Sequence, residues 1–314
     1  MTALPLRPPL IVHHMAALDG GHFPPNSLEG VRASLEGGAD FIEVDVTALA
    51  DEDYLLVHDP VLESETTGSG PVAHCTARQA RELRCKVNGA ATDFRVPTLG
   101  EIVALLAEHP ARTRLQLDFK NVIPFADDEP LIRLARLIEP LGERVIVSSE
   151  ADWQLRRLRR LAPWLELGFD IHFYIGWPDP AHPRNPAELP HEVGAYGYYD
   201  DHPLASRRVW PAADYLADRC AALMTLLPGA STLYINQHFL VQSLEDGFDW
   251  AAALHEAGLK CDAWTLDYGD PVAEANARRL LAAGVDQFTT NTPLALRALL
   301  SAPSRGRTLS RSLP

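Results

Sequence analysis

The chain has 314 residues, of which 46% are hydrophobic and 22% charged, a composition typical of a folded globular protein and not of a disordered or fibrous one. Its formal net charge of -14 at pH 7 argues against nucleic acid or an anionic membrane surface as the main partner, because both would repel it. An anionic substrate would therefore need a local source of positive charge, such as a bound divalent cation.

The cysteines and the N-terminus bear on the compartment. The four cysteines show no CxxC spacing, so reduced, buried thiols in a cytoplasmic protein are expected. The N-terminus lacks a basic segment followed by a long apolar stretch, and no run approaches about 18 apolar residues. We therefore expect a cytoplasmic location, with neither a standard export signal nor a membrane span. The oligomeric state cannot be inferred from the sequence.

Short apolar, β-branched segments alternate along the chain with segments of helical period. The predicted strands cover residues 10–14, 41–46, 54–59, 114–120, 144–150, 165–171, 232–238, 261–267 and 286–291. Helical patterns lie between most of them, including one that starts after Thr98 and one that ends at Gly284. This alternation is typical of a parallel α/β fold.

The connection between the second and third predicted strands breaks the alternation. About seven residues separate them, whereas a parallel crossover needs a dozen or more, so the third strand is expected to return as a β-hairpin. Eight strands then remain in series, the number that closes a (β/α)8 TIM barrel. We predict one barrel domain over residues 1–301, with a long rim insertion at 172–210, followed by a flexible tail at 302–314.

The second predicted strand, FIEVDV, carries two acids in an apolar run. Side chains alternate along a strand, so Glu43 and Asp45 point to the same face. Buried like charges are costly unless a metal ion, a basic partner or a shared proton compensates them. If the hairpin turns about Asp51 and Glu52, residue 45 pairs with 58 and residue 43 with 60, which would place His58 on the acidic face.

Other reactive side chains stand at the predicted C-terminal ends of strands, where TIM barrels form their active sites. Asp118 and Lys120 share one face of the strand at 114–120, and the first strand ends in His13 and His14. Three converging carboxylates suit a hard cation such as Mg²⁺ or Ca²⁺, which leaves coordination sites for a substrate phosphate. Two histidines could then divide the proton transfers.

Each of these motifs has a simpler interpretation when it is taken alone. An E-x-D pair more often lines a solvated strand face or meets arginines, and His13 alone is more typical of a core or loop histidine. The H-D-P motif is also a common turn opening, and Lys120 could cap a strand end. Trp264 stands at a strand end where packing suffices as an explanation. A site is favoured because the acids, His58 and Lys120 all fall at strand C-termini.

The ordered set of motifs resembles the glycerophosphodiester phosphodiesterase family of barrel enzymes. The family pattern runs H-R-G, P-E-N-T, E-x-D, H-D-P, E-x-K, V-S-S and W-T. The corresponding segments here are IVHHM, PPNSLEG, FIEVDV, LLVHDP, LQLDFK, VIVSSE and CDAWTLD. The resemblance covers nearly the whole chain apart from residues 172–210 and the tail, and the ordered set is specific although each motif alone is not.

The resemblance implies a TIM barrel that hydrolyses a small-molecule glycerophosphodiester to glycerol 3-phosphate and an alcohol, with Mg²⁺ or Ca²⁺ as cofactor. The implied general acid and base are His13 and His58. The implied metal ligands are Glu43, Asp45 and Asp118. The implied substrate-binding residues are His14, Lys120 and Trp264.

Four departures from the family pattern concern the phosphate and metal sites. His14 stands in place of the arginine, Met15 in place of the glycine and Pro25 in place of the glutamate. Arginine binds phosphate bidentately, whereas a histidine is only partly protonated at neutral pH. Asp118 is one methylene shorter than the family's glutamate, so the metal would move or a water would intervene. Two alternatives follow: action on a cyclic or sphingolipid-type diester, or a barrel that binds a phosphate ligand without turnover.

Overall fold

The computed structural model describes residues 8–178 and 188–302, so part of the predicted rim insertion and the predicted tail from 303 onward lie outside the described residues. The described strands are β1 (Leu10–His13), β2 (Phe41–Ala48), β3 (Tyr54–Leu55), β4 (Arg84–Val87), β5 (Ala90–Arg95), β6 (Arg114–Phe119), β7 (Val145–Ser149), β8 (Glu166–Asp170), β9 (Thr232–Asn236), β10 (Lys260–Trp264) and β11 (Gln287–Thr290). Eight of them form the parallel barrel in chain order, and β1 pairs with both β2 and β11. The predicted (β/α)8 fold is confirmed.

Helices surround the barrel. They are α1 (Leu28–Glu36), α2 (Ala77–Ala80), α3 (Leu99–Glu108), α4 (Glu129–Ile138), α5 (Asp152–Leu161), α6 (Ala212–Met224), α7 (Gln237–Glu245), α8 (Trp250–Glu256), α9 (Pro271–Ala283) and α10 (Pro293–Ser301). As predicted, α3 follows Thr98 and α9 ends before Gly284, whose φ of 97° suits glycine. Within the described ranges, no helix combines the length and apolar character needed to cross a bilayer. All four cysteines are buried and unpaired.

The pleat of the strands sorts the side chains into two sets. On β2, the side chains of Ile42, Val44 and Val46 point outward and belong to the large core between the barrel and the helices. The alternate residues of β2 point into the barrel, where Phe41 packs with Val12 of β1 in a small separate cluster. Since Val12 is in register with Phe41, the next pair, His13 and Ile42, faces the helices instead. This register decides which residues can reach the barrel interior.

The chain between β2 and α3 forms an elaboration on one side of the barrel. The predicted hairpin is present, but Thr47 pairs with Leu55 and Ala48 with Tyr54, and the returning strand β3 is only two residues long. The predicted pairing of 45 with 58 and 43 with 60 is therefore wrong by one residue. A second antiparallel pair, β4 and β5, was not predicted, because its largely exposed, polar residues lack a strand-like apolar alternation.

The described part of the rim insertion is anchored to α6. The ring of Tyr196 stacks on that of Tyr215, with 3.9 Å between ring centroids. The buried carboxylate of Asp200 accepts hydrogen bonds from Arg219 Nε at 2.7 Å and from the Tyr215 hydroxyl at 2.5 Å. These buried contacts indicate that the described part of the insertion packs against the domain.

We predict that Asp262 makes stability depend on pH. Asp262 is fully buried inside the barrel, and burial raises its pKa to about 7, although Thr289 donates to it at 3.0 Å. Because the folded-state pKa lies above the unfolded value of 3.8, the native state binds the extra proton, and stability falls as pH rises from 3.8 to about 7. D262N should remove this fall, and its free energy of unfolding should exceed that of wild type by on the order of 4 kcal/mol above pH 7.

Urea unfolding at several pH values between about 3 and 8, a range that brackets the two pKa values, checks this expectation. The control is D93N, which changes an exposed aspartate on β5 and should leave the pH profile unchanged. Parallel stability profiles for D262N and wild type would contradict it.

Candidate active site

A cavity of about 510 Å³ lies at the C-terminal ends of the barrel strands. Six of the eight predicted site residues line it: His14, Glu43, His58, Asp118, Lys120 and Trp264. Asp45 lies next to Asp118 in the strand register and contacts Lys120. The eighth, His13, does not line the cavity.

Three carboxylates converge at one side of the cavity. One oxygen each of Glu43, Asp45 and Asp118 lies within 4.8 Å of the others. The two aspartates are direct register neighbours on β2 and β6, so the pairing of the strands brings them together. Asn26, in the turn before α1, donates from Nδ2 to Asp45 Oδ2 at 2.9 Å and accepts from Asp45 N at 3.0 Å. Asn26 therefore orients the Asp45 side chain, a role that was not predicted.

Lys120 lies against two of these carboxylates. Its Nζ is 2.5 Å from Asp118 Oδ2 and 3.1 Å from Asp45 Oδ1. Burial opposes its charge, but the two aspartates raise the pKa of Lys120 well above its usual value. Burial also opposes the charge of Asp45 and by itself would raise the pKa of that carboxyl. The positive charges of Lys120 and His58 outweigh burial and hold the pKa of Asp45 below its usual value. The ammonium group thus pairs with the two aspartates and only partly offsets the charge of Glu43.

Of the three carboxylates, Glu43 is the one with no basic side chain paired to it among the described residues. Burial, followed by the charges of Asp45 and Asp118, raises the pKa of Glu43 well above its usual value. Its Oε2 accepts a hydrogen bond from Met15 N at 2.7 Å, whereas its buried Oε1 has no hydrogen-bonding partner among the described residues. An unpartnered oxygen beside two further acids fits a bound hard cation. The three residues therefore suit a divalent metal, whose identity they do not specify.

His13 is placed on the opposite side of the strand from the cavity. Its side chain is buried among the helices, and Nδ1 lies 3.1 Å from Ser34 Oγ of α1. Burial, with a smaller effect of Arg297, lowers the pKa of His13 to about 4. His13 was predicted to act in catalysis, but its register with Ile42 turns the imidazole away from the barrel interior and the cavity.

His14 takes the position at the cavity instead. The chain turns sharply after β1, where Met15 and Ala16 adopt positive φ values of 50° and 57°. Such left-handed conformations cost non-glycine residues about 1–2 kcal/mol each, which is consistent with a turn held by its surroundings. The hydrogen bond from Met15 N to Glu43 ties this turn to the acidic cluster. His14 Nδ1 lies 2.9 Å from Asn291 Oδ1 in the loop after β11.

His58 reaches the cavity as predicted, although it lies in the loop beyond β3 and not in a strand. Its half-exposed imidazole places Nδ1 at 3.0 Å from Asp59 Oδ1. The backbone N of His58 donates to Glu65 Oε2 at 2.7 Å, which fixes the loop. Since Asp59 occupies Nδ1, Nε2 is the nitrogen left for chemistry.

The remainder of the lining carries Trp264 and additional acids. Trp264 packs edge-on against His172, with 5.5 Å between ring centroids, and its buried Nε1 has no partner within the described ranges. Glu150 and Asp170 were not predicted as site residues, and burial, followed by Glu150, raises the pKa of Asp170 well above its usual value. Among the described residues that line the cavity, Lys120 is the only lysine or arginine.

Comparison of the sequence with protein families gives one match over most of the chain. The profile of the Glycerophosphoryl diester phosphodiesterase family matches residues 19–295. A glycerophosphodiester phosphodiesterase of Caldanaerobacter subterraneus is 27% identical over 175 residues, 55% of this chain and 70% of the relative. Glycerophosphodiester phosphodiesterase 1 of Mus musculus is 32% identical over 109 residues, which is 33% of either chain. The aligned regions thus span only part of these relatives.

Comparison with solved structures supports the same fold. A glycerophosphodiester phosphodiesterase from Parabacteroides distasonis superposes with a TM-score of 0.61 at 18% identity, covering 93% of this chain and 96% of its own. A phosphodiesterase from Oleispira antarctica, solved in complex with the product sn-glycerol-3-phosphate, gives a TM-score of 0.60 at 17% identity over 94% and 97% of the two chains. At these identities the likeness establishes the barrel fold alone.

Proposed function

Because the chain belongs to the glycerophosphoryl diester phosphodiesterase family, we propose that it hydrolyses a glycerophosphodiester to glycerol 3-phosphate and an alcohol with the help of a divalent cation. The observation that carries this proposal is the convergence of three carboxylates beside a lysine and two histidines in one cavity. The product bound to the Oleispira antarctica phosphodiesterase agrees with such a substrate. We propose Mg²⁺ or Ca²⁺, because both prefer carboxylate oxygens.

Glu43, Asp45 and Asp118 would hold the cation, which would supply positive charge for the phosphate oxygens in an otherwise acidic cavity. The ammonium of Lys120, which already lies at the cavity wall, would bind a phosphate oxygen. Trp264, which also lines the cavity, would contact the organic part of the substrate. The side chains of the cavity would thus bind the cation, place positive charge beside the phosphate and orient the diester.

We propose that His14 and His58 carry the protons, since both line the cavity and both have Nδ1 occupied by a neighbour. One Nε2 would take a proton from the attacking water as its oxygen forms a bond to phosphorus. The other Nε2 would give a proton to the alcohol oxygen as its bond to phosphorus breaks. The overall reaction consumes one water molecule and releases glycerol 3-phosphate and the alcohol. Proton exchange with solvent then restores the starting protonation state of both imidazoles.

The alternative of a barrel that binds phosphate without turnover is less well supported. It expects all three acids to be engaged by basic side chains. Lys120 does engage Asp45 and Asp118, but Oε1 of Glu43 is buried without a partner in the described part of the chain. An inert binding protein has little use for such an uncompensated carboxylate.

We expect purified protein to release glycerol 3-phosphate from glycerophosphodiesters such as glycerophosphocholine, and to lose this activity when a chelator removes divalent ions. Readdition of Mg²⁺, Ca²⁺ or Mn²⁺ should restore it. Phosphorus NMR of the products, over a panel that includes cyclic and sphingolipid-type diesters, identifies which bond breaks. Turnover of only the cyclic or sphingolipid-type diesters would favour the changed-specificity alternative, and no turnover of any diester with any of the ions would contradict hydrolysis.

A further inference from the structure

The imidazole of His14 is connected to an aspartate through an asparagine. Asn291 Oδ1 lies 2.9 Å from His14 Nδ1, and Asn291 Nδ2 lies 2.9 Å from Asp267 Oδ2. His14 follows β1, Asn291 follows β11 and Asp267 lies just beyond β10, so the chain of contacts crosses the seam where the barrel closes. None of the motifs noted in the sequence assigns a role to Asn291 or Asp267.

The chemistry of these groups fixes the direction of each hydrogen bond. A carboxylate oxygen only accepts, so the side-chain amide of Asn291 must direct its NH₂ group to Asp267 and its oxygen to His14. An amide oxygen also only accepts, and the proton between Asn291 and His14 must therefore sit on Nδ1 of the imidazole. The neutral imidazole is thereby held as the Nδ1–H tautomer, with a bare Nε2.

Asp267 is itself held firmly. Besides the Asn291 side chain, its Oδ1 accepts from the backbone N of Asn291 at 2.7 Å and from Thr290 Oγ1 at 3.1 Å. Both carboxylate oxygens are thus occupied by donors from Thr290, the last residue of β11, and from Asn291. The orientation of Asn291 is therefore set by two contacts, through its backbone and through its side chain, and a reversed amide would lose both the Asp267 and the His14 hydrogen bonds.

We propose that Asn291 and Asp267 are positioning residues that hold His14 in the Nδ1–H tautomer, so that all proton exchange with the substrate takes place at Nε2. The tautomer follows from the geometry alone, and its importance for turnover rests on the proposed function. The same tautomer is required whether His14 acts as the general base or as the general acid. A base with a bare Nε2 becomes an imidazolium with Nε2–H, and an acid that gives up this proton returns to the same neutral form.

Imidazole NMR of the ¹⁵N-labelled full-length protein tests the tautomer without relying on activity. The spectra are recorded at a pH where His14 is neutral, and the His14 signals are identified as those missing from H14N. We expect wild type to show protonated Nδ1 and bare Nε2, although neutral imidazole in water prefers the opposite tautomer. In D267N the Asn291 amide is free to reverse, and the pattern should shift toward Nε2–H. An Nε2–H tautomer in wild type, or an unchanged pattern in D267N, would overturn the proposal.

Kinetics test whether the tautomer matters. D267N should lower kcat about 10–100-fold, the range for removal of a partner behind a functional histidine, with a smaller change in KM. The matched control is D286N, since Asp286 accepts from His255 Nε2 at 2.9 Å near the start of β11, away from the cavity. D286N should leave the His14 signals and kcat unchanged. If D267N shifts the tautomer but keeps the wild-type kcat, the positioning role is refuted, and an inactive wild type would count against the proposed function and not against the tautomer.

Discussion

Replacing His14 with asparagine is expected to lower kcat roughly 10²–10⁴-fold, the usual contribution of a general acid or base. His13→Asn, one residue earlier, should leave kcat within a few-fold of wild type. The reason is the pleat of β1: His14 lines the cavity, whereas His13 is buried against Ser34 of α1. Because its pKa is lowered to about 4, His13 is also neutral at neutral pH and is therefore a poor general acid.

Steady-state kinetics on the two purified variants, with glycerol 3-phosphate as the measured product, distinguish the two histidines. H13N should instead lower stability by about 1–3 kcal/mol, because it disturbs a buried polar contact between barrel and helix. Urea unfolding measures this effect. Loss of turnover in a folded H13N, together with normal turnover in H14N, would contradict the placement of the catalytic imidazole.

Replacing Glu43 with glutamine is expected to have opposite effects on activity and stability. Loss of a metal-binding carboxylate removes several kcal/mol of transition-state stabilisation, which corresponds to about a 10³-fold lower kcat/KM. In metal-free protein the same change should raise stability by about 1–3 kcal/mol, since a neutral amide replaces a buried carboxylate that repels Asp45 and Asp118.

Thermal unfolding with and without Mg²⁺ or Ca²⁺ measures the second effect. Wild type should be stabilised by the ion, because binding favours the folded state, and E43Q should lose most of this stabilisation. The matched control is E166Q, which changes another inward-facing carboxylate that is paired with Arg114 and accepts from Ser231 Oγ at 2.7 Å. E166Q should be less stable than wild type and yet respond to the ion. An equal ion response in E43Q and wild type would contradict the assignment of Glu43 to the metal.

The barrel was predictable because its signals are local. Each barrel strand is a short apolar segment followed by a helical pattern, and the short link after β2 identified the hairpin. The carboxylate cluster was predictable for the same reason, since alternation along one strand places Glu43 and Asp45 together. β4 and β5 were missed because polar, exposed residues can form a hairpin without a distinctive pattern.

The choice between His13 and His14 required information that one strand does not contain. Both stand at the end of β1, and only the pairing of Val12 with Phe41 shows which of them faces the interior. The residues that orient the site were missed for a related reason. Asn26, Asp267 and Asn291 lie in loops, and their partners are 19, 24 and 277 residues away in sequence. The contact of His14 with Asn291 follows from the pairing of β1 with β11, which brings the two ends of the barrel together.

A crystal structure of the protein soaked with Mn²⁺ and glycerol 3-phosphate is the most direct test of the proposed metal site, because anomalous scattering locates Mn²⁺ without ambiguity. We expect one ion bound by Glu43, Asp45 and Asp118, with the phosphate between it and the imidazoles of His14 and His58. No ion between the three acids, with Lys120 still paired to both aspartates, would contradict the proposed metal site and with it the chemistry of the cavity.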